Sequence, residues 1–308
     1  MKWTPRSLAE QTGRSFVITG ANSGIGLEAA RELVSRGATV VLACRDTVKG
    51  QRARDQIARG AAGNALVLPL DLTDLDSVSA FGHDLRNHLP ALSGLVCNAG
   101  VMGGPRANTK QGLERQMGTN HFGHAALIAG LWSQLEQSAG RVVLVSSIAA
   151  RGGNLSATSS REDLVDPQPY VAGQVYARTK QANLLYAQEL HRRAMAAGSP
   201  VGVLACHPGV SATNLFGRLL REQGRGWLAP FAGPALRLVA QSARAGAAST
   251  LRALEHSTPS GAFVGPAHLG QFRGSPELLE VYPGGADTTA AARLWDLTAE
   301  VLGASVPV

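Results

Sequence analysis

A chain of 308 residues, 44% hydrophobic and 17% charged, carries enough apolar material for a large core, which excludes disorder. A mean hydropathy of +0.01 and the absence of a run of about 18 uncharged apolar residues argue against a membrane-spanning protein. The excess of 29 Lys+Arg over 22 Asp+Glu gives a net charge of +7, but the arginines are scattered, so a nucleic-acid partner would rest on charge alone and is not expected.

The segment from Met1 to Ser15 holds Lys2, Arg6, Glu10 and Arg14 with no apolar stretch, so it does not read as a secretory signal. Ser15 to Thr19 is the first strand. The stretch from Gly24 to Arg36, closed by Gly37, is the first amphipathic helix. Ala38 to Ala43, Ala65 to Leu70, Leu92 to Cys97, Arg141 to Val145 and Pro200 to Cys206 repeat the strand pattern, with helical segments between them. Thr73, Asp74 and Asp76 stand where a helix start favours caps and negative charge. Gly261 to Gly265 adds a seventh strand at the edge.

Continuous apolar strands alternating with helices predict an α/β, doubly wound Rossmann-type domain, with about seven parallel strands and helices on both faces. One domain over residues 1–308 is expected, with excursions at 149–172 and 211–241 that would line a pocket and cover it as a lid. Gly226 to Ala240 could instead dip into a membrane surface, although Pro230 and Pro234 interrupt it and favour the lid. Three cysteines, Cys44, Cys97 and Cys206, lie far apart without CxxC spacing, against a disulfide framework or zinc site; a cytoplasmic setting is expected.

Ligands of such sheets bind at the carboxyl ends of the strands. After the first strand, Gly20, Asn22, Ser23, Gly24, Ile25 and Gly26 form a turn whose glycines let the backbone approach a pyrophosphate at the next helix's N-terminus. At the end of the second strand, where an acidic residue would mark NAD, stand Cys44 and then Arg45, whose guanidinium can pair with a 2′-phosphate. NADP(H) is the expected cofactor, and Asp46 keeps NAD(H) as the alternative. Asp71 and Leu72 suit the adenine rim, unless Asp71 caps the next helix, and Asn98, Ala99 and Gly100 suit a close backbone approach to the cofactor.

Tyr176 and Lys180 are four apart on a predicted helix and share a face, so the ammonium can lower the phenol's pKa for proton transfer. With four tyrosines and four lysines in the chain, a chance Tyr-x-x-x-Lys arises only about 5% of the time. Ser146 and Ser147 follow the fifth strand, where a hydroxyl could donate to a substrate carbonyl. Asn120, within a predicted helix, could hold a water and pass protons; the alternative is a surface asparagine. His121 and His124 imitate a metal pair but have no third ligand spaced nearby, so no metal is expected.

Thr19-Gly20-x-x-x-Gly24-x-Gly26, Asn98-Ala99-Gly100, Asn120, Ser147 and Tyr176-x-x-x-Lys180, in this order, resemble the short-chain dehydrogenase/reductase superfamily over nearly the whole chain. The resemblance implies Tyr176 as acid/base, Lys180 as its pKa modulator and a ligand of the nicotinamide ribose, Ser147 as carbonyl anchor and Asn120 as holder of a relay water. His207-Pro208-Gly209-Val210 with Thr213 resembles the stretch that contacts the carboxamide. Ala43 to Asp46, Gly118 to His124 and Cys206 to Gly209 resemble the branch containing retinol dehydrogenases and protochlorophyllide reductases, with Thr179 where that branch typically has serine. The implied activity interconverts an alcohol with an aldehyde or ketone. A medium-sized apolar substrate is expected from the few charges in the excursions. Relatives commonly form a four-helix interface from the helices bearing Asn120 and Tyr176, so a homodimer or tetramer is implied, with a monomer left open.

Overall fold

The computed structural model describes residues 3–210 and 241–308. Eight strands form one sheet: β1 Ser15–Thr19, β2 Thr39–Cys44, β3 Asn64–Pro69, β4 Gly94–Cys97, β5 Arg141–Val145, β6 Gly202–Cys206, β7 Phe263–His268 and β8 Arg273–Leu279, in the spatial order β3-β2-β1-β4-β5-β6-β7-β8. The first seven run parallel, and β8 returns antiparallel along β7. The seven parallel strands are those expected, and the antiparallel eighth is added to them. Its sequence, with Gly274 and Pro276 among charged residues, carries no alternation, which an edge position tolerates.

The helices are α1 Gly24–Ser35, α2 Thr47–Ala58, α3 Leu75–His88, α4 Arg115–Met117, α5 Gly123–Gln137, α6 Arg161–Val165, α7 Ala172–Ala196, α8 Ala243–Leu254, α9 Pro283–Ala286 and α10 Thr288–Leu302. A π-turn, Gly118–Phe122, joins α4 to α5. Alternate residues of β1 divide between two apolar layers, as a strand buried on both faces requires. Val17 packs with Phe81 of α3, Trp132 of α5, Leu184 of α7 and Trp295 of α10. Phe16 and Ile18 pack with Leu33 of α1, Ile57 of α2 and Leu251 of α8. Fully buried side chains such as Phe16 and Trp132 each contribute about 1.5–3 kcal/mol through lost water contact.

The strand order reverses between β1 and β4, so the loops after these strands diverge and leave a crevice at the carboxyl edge. Cys44, Cys97 and Cys206 close β2, β4 and β6 at that edge, and all three are buried. The first excursion contains a 3-10 turn, Ile148–Gly152, and α6, and it leads into α7. Residues 211–240 of the second excursion, with Thr213, lie outside the described residues. Among the described residues no helix is long and apolar enough to cross a membrane.

Candidate active site

The turn after β1 is built for close approach. Gly20 and Gly24 lie at φ +66° and +60°, in the left-handed region that glycine enters without steric cost. A Cβ on Gly26 would stand 2.6 Å from Asn98 Nδ2 and 3.0 Å from the Gly20 carbonyl oxygen. Ser23 occupies the N-cap of α1 yet makes no capping bond with its side chain, whereas Asp46 and Asp74 cap α2 and α3 by accepting from Lys49 N and Asp76 N. The first amides of α1 therefore keep their capacity for an anion. Asn22 and Ile25 are half-buried beside them, and Ser23 is exposed.

The loop after β4 is tied to this turn. Thr19 Oγ1 accepts from the N–H groups of Asn98 and Ala99, both at 2.9 Å, and Asn98 Nδ2 donates to the Thr19 carbonyl at 2.8 Å. Gly100 is exposed, and a Cβ there would lie 3.3 Å from Asn120 Oδ1 and 3.6 Å from Lys180 Nζ. Two cradles of bare backbone thus line one crevice, and they fit a dinucleotide.

At the outer rim Arg45 is exposed, with its guanidinium 3.9 Å from Asp71. Asp71 accepts from Thr73 N and Thr73 Oγ1, so it braces its own loop, and the cap of α3 is Asp74. Asp46 is committed to α2: it accepts from Lys49 N at 3.0 Å and pairs with Lys49 Nζ at 2.9 Å. Leu72 departs from expectation. Its side chain is buried in the core, so only its backbone can face the rim.

The central group gathers where β4, β5 and α7 meet. Ser146 Oγ donates to the Lys180 carbonyl at 2.7 Å and is turned into the fold, while Ser147 stays half-buried and hydrogen-bonds Tyr176. Burial pushes the Tyr176 phenol up to about 12, with Ser147 acting against it. Lys180 Nζ lies 5.8 Å from the Tyr176 ring centre and donates to the Val145 carbonyl at 3.0 Å. Burial pulls its ammonium down to about 8. Desolvation of the ring thus sets the direction of the phenol's shift, and Ser147 is the group that acts against it.

Asn120 is buried on the π-turn, not at the surface, and its amide is fully employed. Oδ1 accepts from Val101 N at 2.8 Å, and Nδ2 donates to the Val101 carbonyl at 2.9 Å and to Thr179 Oγ1 at 3.0 Å. Thr179 Oγ1 in turn donates to the Tyr176 carbonyl at 2.8 Å. The π-turn breaks the regular helical register at a residue that links the β4 loop to the Tyr176 helix.

Residues 14–161 match the family described as short chain dehydrogenase. Retinol dehydrogenase 14 of Mus musculus is 34% identical over 307 residues, covering 94% of this chain and 86% of that protein. The chain belongs to the short-chain dehydrogenase/reductase superfamily. Within it, the similarity lies with retinol dehydrogenases: that of Homo sapiens numbered 12 is 41% identical over 212 residues, which span 68% of this chain and 65% of that relative's length. A crystal structure of an uncharacterised protein from Mycobacterium paratuberculosis matches with a TM-score of 0.80 at 37% identity, covering 100% of both chains. Members of this family are NAD(P)-dependent oxidoreductases.

Other expected contacts of this short-chain dehydrogenase fare differently. Pro208 and Gly209 lie half-buried after β6, with Gly209 at φ +69°. Val210 N donates to the Phe272 carbonyl at 2.9 Å, and its own carbonyl accepts from Gln241 N at 2.8 Å, so its backbone groups are engaged within the chain rather than open to a carboxamide. His121 and His124 do not converge. His121 Nε2 meets Thr298 Oγ1 at 2.8 Å, and His124 Nε2 meets Thr19 Oγ1 at 2.9 Å. The Thr19–His124 contact and the Thr179 bridge are features that the sequence reading did not find, although His124 stands one helical turn after Asn120.

Proposed function

We infer that the protein is an NADP(H)-dependent oxidoreductase that interconverts a carbonyl with an alcohol on a medium-sized apolar substrate. The observation that carries this reading is the linked set Ser147–Tyr176, Tyr176–Thr179–Asn120 and Lys180–Val145, of which Asn120 and Lys180 border the bare backbone of Gly100. The preference for the 2′-phosphate is supported by exposed Arg45 and by Asp46, whose carboxylate is already held by Lys49. The names of the relatives as retinol dehydrogenases favour an apolar substrate.

Gly20, Gly24 and Gly26 with the open N-terminus of α1 would hold the pyrophosphate, Arg45 the 2′-phosphate, and Asn98 to Gly100 with Lys180 the nicotinamide riboside. A bound nicotinamide supplies the hydride. Ser147 and Tyr176 donate to the substrate oxygen as negative charge develops there, and Tyr176 passes its proton to it. A phenol pushed up to about 12 stays protonated at neutral pH and is ready to donate in the reducing direction. Lys180, pulled down to about 8, can release a proton near neutral pH and replenish the phenol. Both N–H groups of the Asn120 amide are in use, so a relay water would sit at its main-chain carbonyl.

The test is NADPH oxidation with a panel of apolar and polar aldehydes and ketones, comparing the wild type with Tyr176→Phe. Turnover on apolar carbonyls should fall by at least about 100-fold in the variant. Activity that survives the substitution would remove Tyr176 from the mechanism.

A further inference from the structure

His124 is buried at the start of α5, and each ring nitrogen has one partner, taken from opposite sides of the crevice. Nδ1 lies 3.1 Å from the Asn120 carbonyl oxygen, which can only accept, so Nδ1 carries the hydrogen. Nε2 is then bare and accepts from the Thr19 hydroxyl at 2.9 Å. The Val96 carbonyl, 3.3 Å from the same hydroxyl, is the more distant acceptor for its hydrogen, and the hydroxyl oxygen accepts from the amides of Asn98 and Ala99. The result is one directional chain: Thr19 O–H to His124, and His124 N–H to Asn120.

Charge does not disturb this arrangement. The groups acting on the ring are the ammonium of Lys180 and the hydrogen bond to Asn120, and burial, the largest influence, pulls the imidazole down to about 4, so a neutral ring with a single tautomer persists at working pH.

We propose that His124 is a positioning residue that couples the two halves of the site, holding the Asn120 carbonyl for proton relay through Nδ1 and the Asn98–Ala99 backbone for cofactor binding through Thr19. The proposal rests on the reading of the chain as a carbonyl–alcohol oxidoreductase in its relay half; the cofactor half needs only that the crevice binds NADPH. His124 joins the Thr19 hydroxyl at the end of β1 to the main chain of the π-turn, whereas the Asn120 side chain reaches only the β4 loop at Val101 and Thr179 of α7.

Two amide substitutions separate the halves. In His124→Asn, the side-chain N–H can replace Nδ1, but nothing reaches Thr19. In His124→Gln, the longer side chain brings its oxygen to the Nε2 position and leaves the Asn120 carbonyl without its donor. His124→Asn should weaken NADPH binding about tenfold, read as Kd by fluorescence titration, with kcat within about twofold of the wild type. His124→Gln should lower kcat about tenfold and keep Kd within about twofold. Thr19→Val removes the link together with the acceptor of the Asn98 and Ala99 amides, so it should weaken NADPH binding at least as much as His124→Asn, and adding His124→Asn to it should bring no further loss.

Equal proportional losses of Kd and kcat in both His124 variants, no change in either, or additive effects in the Thr19 pair would overturn the proposal. If His124→Asn does not fold, Thr19→Val and its rescue by Thr19→Ser carry the Kd arm alone. A wild type that binds NADPH but reduces no carbonyl would count against the proposed function, whereas the Kd arm would still decide the coupling through Thr19.

Discussion

Acid should destabilise this protein well before its carboxylates titrate. Burial pulls His121, His124 and His207 down to about 3, 4 and 3, so the folded state holds three neutral imidazoles. In the unfolded chain they titrate near about 6.5. Below that value the unfolded state binds protons that the folded state refuses, so stability is complete above it and is lost as the pH falls toward the folded values. The three together remove about 4 kcal/mol for one pH unit below about 6.5. A typical domain has only about 5–15 kcal/mol in total. Glu114 and Glu255, held above the usual carboxylate range by burial, act in the opposite sense as the pH falls through their raised values. Urea unfolding followed by circular dichroism at about pH 7.5 and about pH 5.5 measures the difference as a shift in midpoint at constant slope. A loss below about 1 kcal/mol would show that at least two of these rings do not stay neutral in the fold. His124→Gln should reduce the pH dependence by about a third.

Two substitutions probe the cofactor cradle. Gly26→Ala places a methyl 2.6 Å from Asn98 Nδ2, whose bond to the Thr19 carbonyl must break or bend. Overpacking and the lost bond should cost about 2–4 kcal/mol of unfolding free energy and weaken NADPH binding at least about tenfold; a variant as stable and as tight as the wild type would mean the turn has room to spare. Arg45→Ala should weaken NADPH about tenfold and leave NADH unchanged, since only the former carries the 2′-phosphate. An unchanged ratio of the two dissociation constants would remove Arg45 from phosphate recognition.

What the sequence conveyed follows from how local each signal is. β1 and β5 fall on the predicted residues, because a continuous apolar run between turn signals has no competing reading. β8 was illegible, since its pairing depends on β7 beside it rather than on its own residues. Tyr176, Lys180 and the glycine turn were legible because their chemistry needs fixed spacings along one element. Asn120 was legible as a functional residue but not as a buried one, because the π-turn that carries it has the same residue types as an ordinary helix. Leu72 and Val210 were assigned by position after a strand, yet core packing claims the side chain of the first and main-chain pairing the backbone of the second. The partner of His124 is Thr19, 105 residues away, a separation that no local pattern encodes.

The three cysteines that close β2, β4 and β6 place sulfur along the carboxyl edge of the sheet that carries the crevice. Burial raises the thiols of Cys44 and Cys97 above the usual range and that of Cys206 to about 12. Only the thiolate attacks carbonyl carbon or reacts readily with oxidants, and these thiols stay protonated. They fill small apolar spaces at the strand ends as an alanine or valine would, and they present no nucleophile to compete for an aldehyde in the crevice.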